Sequence, residues 1–397
     1  MEIAIIVSAV PHYFAGRIKE YSRTGAKTLL VNARSSEMFY SDIRSDDVGD
    51  VKFIELIGVK PNRIFRSIMA VLDSHKPDVV VIAGWATVQC FAAILWAKRN
   101  QKKLVVMSDS QYSDAARSLH REKLKSRIVR TCDTALVGGR VHRDYIVSLG
   151  MPEENVFVGY DTVDNRHFFA GAARARAEGE IERRRLGLPA RYLLASARFI
   201  PKKNLPRLIQ AYAKSIGSTC DAPDLVLLGD GPERRSVEAA ILENDVTDRV
   251  HLMGFRPYDL LPSFYGLAEG FVHVSTAEQW GLVINEAAAA GLPLVVSAPC
   301  GASPELVHEG KNGWVVDPLN VEDMALALSL LIALSPSERA RMGEFSRQIV
   351  AEWGPERFSE GLSAACKLAY LLPQRRLKPW DELLIRFLSK REIRTVA

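Results

Sequence analysis

The chain has 397 residues, 48% of them hydrophobic, with 52 basic against 47 acidic side chains and a net charge of +5. That length exceeds one small core and suits two domains of ordinary size, each with enough apolar residues for its own interior. The mild basic excess is compatible with a pyrophosphate ligand or an anionic membrane surface, and argues against nucleic acid as a partner.

The opening MEIAIIVSAV lacks a basic region and a cleavage site, so it is expected to be a buried first strand and not a signal peptide. EIAIIVSA, KTLLVN, DVVVIAG, KLVVMS, TALVGG and NVFVGY follow one another with helical spacing between them, the pattern of parallel strands joined by crossover helices. After the first strand, VPHYFAGRIKE places Gly16 and Arg17 at an expected helix opening, where they would approach a phosphate or an acceptor. After KLVVMS, the loop SDSQYSD presents Asp109, Ser110 and Asp114.

Charged, Ala- and Gly-rich sequence at 166–190 predicts a linker containing a short helix. The alternation restarts with YLLASA, DLVLLGDG, RVHLMG, GFVHVS, LPLVVS and GWVVDP. A first doubly wound domain is therefore expected at 1–165, a second at 191–353, and helices at 354–397. The last helix, in WDELLIRFLSKREIR, is apolar on one side and basic on the other. Five scattered cysteines (Cys90, Cys132, Cys220, Cys300, Cys366) without C-x-x-C spacing favour a reducing, cytoplasmic compartment over a disulfide framework or structural zinc. No run of about twenty apolar residues predicts a transmembrane helix.

In open parallel sheets ligands bind beyond the carboxyl ends of the strands, so chemistry is expected on strand-to-helix loops facing a cleft between the two sheets. GFVHVS, TAEQWG and a helix from Leu282 provide such a loop. Free amides at the helix start favour an anion, and Gly281 permits close backbone approach. Glu278 is then placed to accept hydrogen bonds from sugar hydroxyls, and Glu286, one turn into the helix, to hold two ribose hydroxyls. SARFIPKKN clusters Arg198, Lys202 and Lys203 where a strand ends, cations suited to a departing diphosphate. Gly229 in LLGDGPERR, with Gly254 and Phe255 in VHLMGF, would line a nucleobase pocket through backbone groups. No phosphate loop, H-E-x-x-H, G-x-S-x-G or Asp-x-Asp motif is present, and no metal site is expected.

EQWGLVINE followed by AAAAGLPLVVSAPCGASPELVHEGKNGWVVDP closely resembles the E-x7-E region of retaining glycosyltransferases of family 4, and the likeness extends upstream through VHLMGF, LLGDGPERR and SARFIPKKN. It implies a GT-B fold, an α/β architecture of two Rossmann-like domains facing a central cleft, with a C-terminal helix crossing back to the first. It also implies metal-independent transfer without a cofactor, with retention at the anomeric carbon. Carried over, Arg198 and Lys203 contact the pyrophosphate, Glu278 the donor sugar, the backbone of Gln279, Trp280, Gly281 and Leu282 the sugar and phosphate, and Glu286 the ribose. The loop at Gly16 is similar to the family's glycine-rich first loop, with Ala15 in place of one glycine. Where many members carry a histidine after the strand KLVVMS, this chain has Ser108, Asp109 and Ser110, and Asp109 is the candidate for that role.

The expected activity is transfer of a hexose-type sugar from a nucleoside-diphosphate sugar to the hydroxyl of a saccharide, a lipid-linked acceptor or a small molecule. Domain closure about the linker is expected to accompany it. A GT-B nucleotide-sugar epimerase and a non-catalytic GT-B partner subunit are the alternatives. The expected location is cytoplasmic, with peripheral contact at the inner membrane face through the terminal helix as an alternative to its packing on the first domain.

Overall fold

The computed structural model describes residues 1–33, 45–56, 58–115, 117–217 and 221–389. Cys220 and the basic REIR end fall outside them. The chain divides into two compact units, Met1–Val163 with Pro355–Ala397, and Asp164–Gly354.

The first unit holds a seven-stranded sheet: β1 (Glu2–Val7), β2 (Lys27–Asn32), β3 (Lys52–Glu55), β4 (Val79–Ala83), β5 (Lys103–Ser108), β6 (Thr134–Val137) and β7 (Val156–Val158). All neighbours pair in parallel, in the order β3-β2-β1-β4-β5-β6-β7. Strands covered on both faces need apolar residues at every position, which is why β1, β4 and β5 read as unbroken hydrophobic runs. Successive side chains of β1 serve opposite faces. Ile3, Ile5 and Val7 pack in a core with Phe358, Leu362, Ala365 and Cys366 of the helix Pro355–Leu371. Ala4 and Ile6 belong to a second core with Phe91, Ile94, Ile385 and Leu388, the last two from the helix Pro379–Leu388. The two C-terminal helices thus contribute to opposite faces of one sheet.

The second unit repeats the design with six parallel strands: β8 (Tyr192–Ser196), β9 (Asp224–Leu228), β10 (Val250–Gly254), β11 (Gly270–His273), β12 (Leu294–Ser297) and β13 (Gly313–Val316). Their order is β10-β9-β8-β11-β12-β13. Chain direction across the sheet reverses between β8 and β11, the place where loops on either side splay apart and a ligand can enter.

Three expectations change. Residues 166–190, expected as a linker with a short helix inside it, carry two helices of the second unit, Asn165–Glu178 and Glu180–Leu186. The first is capped by Asp164, whose carboxylate accepts from the amides of Arg166 and His167, and it buries Phe168, Ala172 and Ala175. Gly16 lies inside the helix His12–Ser22, not on a loop before it, because the helix begins one turn earlier than expected. Strand β3 was not anticipated; its sequence KFIE is short, and its position at the sheet edge requires no apolar run. No helix among the described residues is long and apolar enough to cross a membrane.

Candidate functional site

The loops after β8 and β11 meet at the switch point of the second sheet. Pro201–Lys203 form a single 3-10 turn, and Asn204 then adopts a left-handed conformation with φ of 60°. Its side-chain amide donates to the carbonyls of Val274 (3.2 Å) and Pro318 (2.7 Å), tying the basic turn to the end of β11. The Thr276 amide donates to the Lys202 carbonyl at 2.8 Å, completing the junction.

Within this frame the Lys203 ammonium pairs with Glu278 Oε2. His273 Nε2 lies 3.2 Å from the same oxygen, and the Ser275 hydroxyl donates to it at 3.3 Å. His273 and Ser275 alternate along the chain at the end of β11, so both side chains take the same side and converge on Glu278. The backbone of Glu278 is held as well: its carbonyl accepts from the Gly301 amide (3.2 Å), and the Trp280 carbonyl from Ala302 (3.0 Å).

This arrangement fixes protonation. Burial alone would raise the Glu278 carboxyl, but the His273 hydrogen bond and the Lys203 charge outweigh it and hold the group well below the usual carboxylate range. Burial, with Lys203 nearby, lowers His273, so the ring is neutral and donates Nε2–H to the carboxylate. Glu278 is therefore a fixed anion, unsuited to proton transfer near neutral pH.

Glu286 is shifted in the opposite direction. It is 8% exposed in the helix Leu282–Ala289, accepts a 2.7 Å hydrogen bond from the Tyr265 hydroxyl, and is pushed up to about 7 by burial. Gly281 precedes the helix with φ of 99°, a conformation that favours glycine. Trp280 contributes only backbone here, since its ring is buried beside Trp353 and its indole N–H donates to Asn285 Oδ1 at 2.8 Å. Gln279 and Leu282 are half-buried on the same loop and helix start.

The glycine turns adjoin this loop system. Gly229 has φ of 113°, and a Cβ there would fall 1.9 Å from the Ala197 carbonyl oxygen. Its amide donates to the Gly254 carbonyl at 2.9 Å, so the turns expected to share a pocket are directly joined. Arg198 is exposed between Ala197 and Phe199, next to that contact, and Phe255 is exposed beyond Gly254.

Gly16, Arg17 and Asp109 belong to the first unit. Asp109 directly follows β5 at the carboxyl edge of its sheet. Its charge, after burial, helps push Asp161 up to about 8. Arg17 is not available to a phosphate: it is 1% exposed, donates Nε–H to the Thr162 carbonyl at 2.9 Å and lies 3.6 Å from Asp161. Sequence reasoning missed His273, Ser275 and Tyr265. A histidine at the end of an otherwise apolar strand, two residues before a serine and five before Glu278, was the legible sign for the first two. Tyr265 carried none, because its contact with Glu286 joins separate elements.

Residues 179–349 match the family described as Glycosyl transferases group 1. Over 176 residues the chain is 32% identical to the alpha-D-kanosaminyltransferase of Streptomyces kanamyceticus, covering 42% of this chain and 44% of that protein. It is 30% identical over 262 residues to the D-inositol 3-phosphate glycosyltransferase of Corynebacterium urealyticum, covering 61% and 59%. The chain spans about half the length of the curated relatives it matches. Among solved structures, a glycosyltransferase from Rickettsia africae superposes with a TM-score of 0.74 at 16% identity, covering 92% of this chain and 98% of that one. HepE from Anabaena, in complex with UDP and glucose, superposes with a TM-score of 0.72 at 17% identity, again covering 92% and 98%. Residues 179–349 are thus similar to the glycosyl transferases group 1, and the two parallel-sheet Rossmann-like units have the GT-B fold of the solved glycosyltransferases.

Proposed function

We propose that this protein is a retaining hexosyltransferase that moves a sugar from a nucleoside diphosphate to an acceptor hydroxyl. The observation that carries the reading is the Lys203–Glu278–His273 cluster at the switch point between β8 and β11. An ionised carboxylate locked by two neighbours suits recognition of sugar hydroxyls, which need a strong, fixed acceptor. Lys203 has N–H groups beyond the one directed at Glu278, and these, with Arg198 and the start of the helix Leu282–Ala289, favour a diphosphate. Glu286, with the Tyr265 hydroxyl on one oxygen, is assigned to the ribose. Gly229, Gly254 and Phe255 are assigned to the nucleobase end.

In the reaction the bond between the anomeric carbon and the diphosphate oxygen breaks, and its electron pair leaves with the diphosphate. The acceptor oxygen bonds to the same face of the sugar, and its proton passes to the departing diphosphate. Lys203 and Arg198 supply the positive charge that this leaving group needs, in the place of a metal ion. Asp109 is assigned to the acceptor side of the chemistry. The named activities of the relatives, transfer of kanosamine or glycosylation of inositol 3-phosphate, are consistent with a sugar donor and a hydroxyl acceptor.

The test is release of nucleoside diphosphate from a panel of nucleotide sugars, with and without sugar and polyol acceptors. At least one donor is expected to turn over, unaffected by a chelator. Lys203→Ala is expected to reduce that rate about a hundredfold or more, as for loss of one preorganised contact of ~2–4 kcal/mol. Absence of turnover and of thermal stabilisation by every donor overturns the reading; full turnover by Lys203→Ala overturns the residue assignment.

A further inference from the structure

The edge of the first sheet opposite Asp109 carries a feature that sugar transfer does not use. After the helix Pro355–Leu371 the chain passes the amino ends of β5 and β6. Lys103 Nζ donates to the Leu372 carbonyl, Gln374 Nε2 to the Gln101 carbonyl at 2.6 Å, and Arg375 to the Cys132 carbonyl at 3.4 Å. The chain then enters the helix Pro379–Leu388. A cavity of about 490 Å³ lies under this segment, lined by Lys98, Arg127, Arg130, Arg375, Arg376 and Lys378, with Trp380 and Asp381 on the helix side.

The charges do not cancel. Lys98 is buried with Asp133 at 2.9 Å, and Arg127 pairs with Asp381 at 2.7 Å. Glu382, the next acid, is taken by Arg99 (2.7 Å) and Arg386 (2.8 Å). Among the described residues Arg130, Arg375, Arg376 and Lys378 form no ion pair, which leaves four cations around one cavity. Such a concentration of like charge is unfavourable unless an anion shares it.

The helix beside the cavity is apolar on two sides. Ile385 and Leu388 are buried in the sheet's core. Trp380, Leu383 and Phe387, at helical spacing on another stripe, are 74%, 59% and 50% exposed. An exposed stripe of this kind bordered by arginines, with a tryptophan at the rim, has the composition of a helix lying in a lipid headgroup layer. The indole and leucine enter the acyl boundary while guanidinium groups reach lipid phosphates.

We propose that Arg130, Arg375, Arg376 and Lys378, with Trp380 and Leu383, form a docking surface for an anionic phospholipid bilayer, in which a headgroup phosphate occupies the cavity. The bilayer is favoured over a soluble phosphate because the apolar stripe is continuous with the cavity rim and a free anion gives it no cover. The proposal is independent of the sugar-transfer reading, since none of these residues belongs to the switch-point site.

The experiment is co-sedimentation of the full chain with vesicles of equal parts phosphatidylcholine and phosphatidylglycerol, and with phosphatidylcholine alone. Strong binding to the first and weak binding to the second is expected, and it should weaken with salt. The double variant Arg130→Glu/Arg376→Glu is expected to lose binding at least tenfold, each cation near an anionic surface contributing roughly fivefold. Trp380→Ala/Leu383→Ala removes only exposed side chains, so it should keep its fold and donor hydrolysis and still lose binding. Quenching of tryptophan fluorescence by brominated acyl chains is expected in the wild type and largely absent in Trp380→Phe. Failure of the wild type to sediment, equal binding to neutral vesicles, or unchanged binding by both double variants would overturn the proposal. So would stabilisation by inorganic phosphate without vesicle binding, which would make the cavity a site for soluble anions.

Discussion

Glu278 and Glu286 stand in one loop-helix segment, yet their surroundings shift the two carboxyls in opposite directions. Lys203, His273 and Ser275 surround the ionised Glu278, whereas Glu286 has a single hydroxyl donor and deep burial. Opposite pH dependences follow. Glu286 has its carboxyl raised from 4.5 to about 7 on folding, so the folded state binds the proton more tightly and stability falls as pH rises between those values. Glu286→Gln, which still accepts from Tyr265, is expected to melt above the wild type at neutral pH, by up to ~3 kcal/mol. The difference should vanish near the unfolded carboxyl value, and an unchanged gap across thermal melts from pH 4 to 8 would contradict it. Glu278 is depressed, so its contribution is complete above about 4.5 and is lost as pH falls further. Glu278→Gln should therefore show its largest stability deficit at neutral pH, read by the same melts, and the acid limb of a pH-rate profile should not shift in that variant.

At the scale of elements, glycines of the two units separate into those that shape the site and those that do not. Gly229 combines a left-handed backbone with near contact to the Ala197 carbonyl, so Gly229→Ala must displace the loop bearing Arg198. A cost of order 1–3 kcal/mol and loss of donor-induced stabilisation are expected in denaturation and thermal-shift measurements. Gly16 is helical with open space around it, and Gly16→Ala should be neutral or stabilise by roughly 0.5–1 kcal/mol, with donor turnover intact. The contrast also explains what the sequence made legible. Buried parallel strands are continuous apolar runs, so twelve strands stood out, and Glu278, Lys203 and Gly281 could be placed because each sits next to a strand end or helix start. β3 has no such run. The helix Asn165–Glu178 hides its buried face in Phe168 and alanines among charges, which composition reads as a linker. Arg17 looked like a free cation because its acceptor, the Thr162 carbonyl, is 145 residues away along the chain.

At the scale of the molecule, one unit is continuous in sequence and the other is not. Residues 164–354 contain their own sheet and core, and the family match at 179–349 falls entirely within them. Expressed alone, this segment is expected to unfold cooperatively and to bind a donor nucleotide without transferring sugar, as judged by calorimetry and product assay. The first unit needs its returning helices: Phe358 and Leu362 are each worth roughly 1.5–3 kcal/mol of burial against a total stability of about 5–15 kcal/mol for a domain. Ending the chain at Gly354 is therefore expected to leave the first 163 residues in a state with exposed apolar surface and no cooperative melt. The same return of the chain dictates an order of assembly during translation. The sheet made first waits on the ribosome with both faces only partly covered until the last helices emerge, and the unit made second can finish folding before it, so the nascent chain presents its oldest strands to chaperones for the longest time.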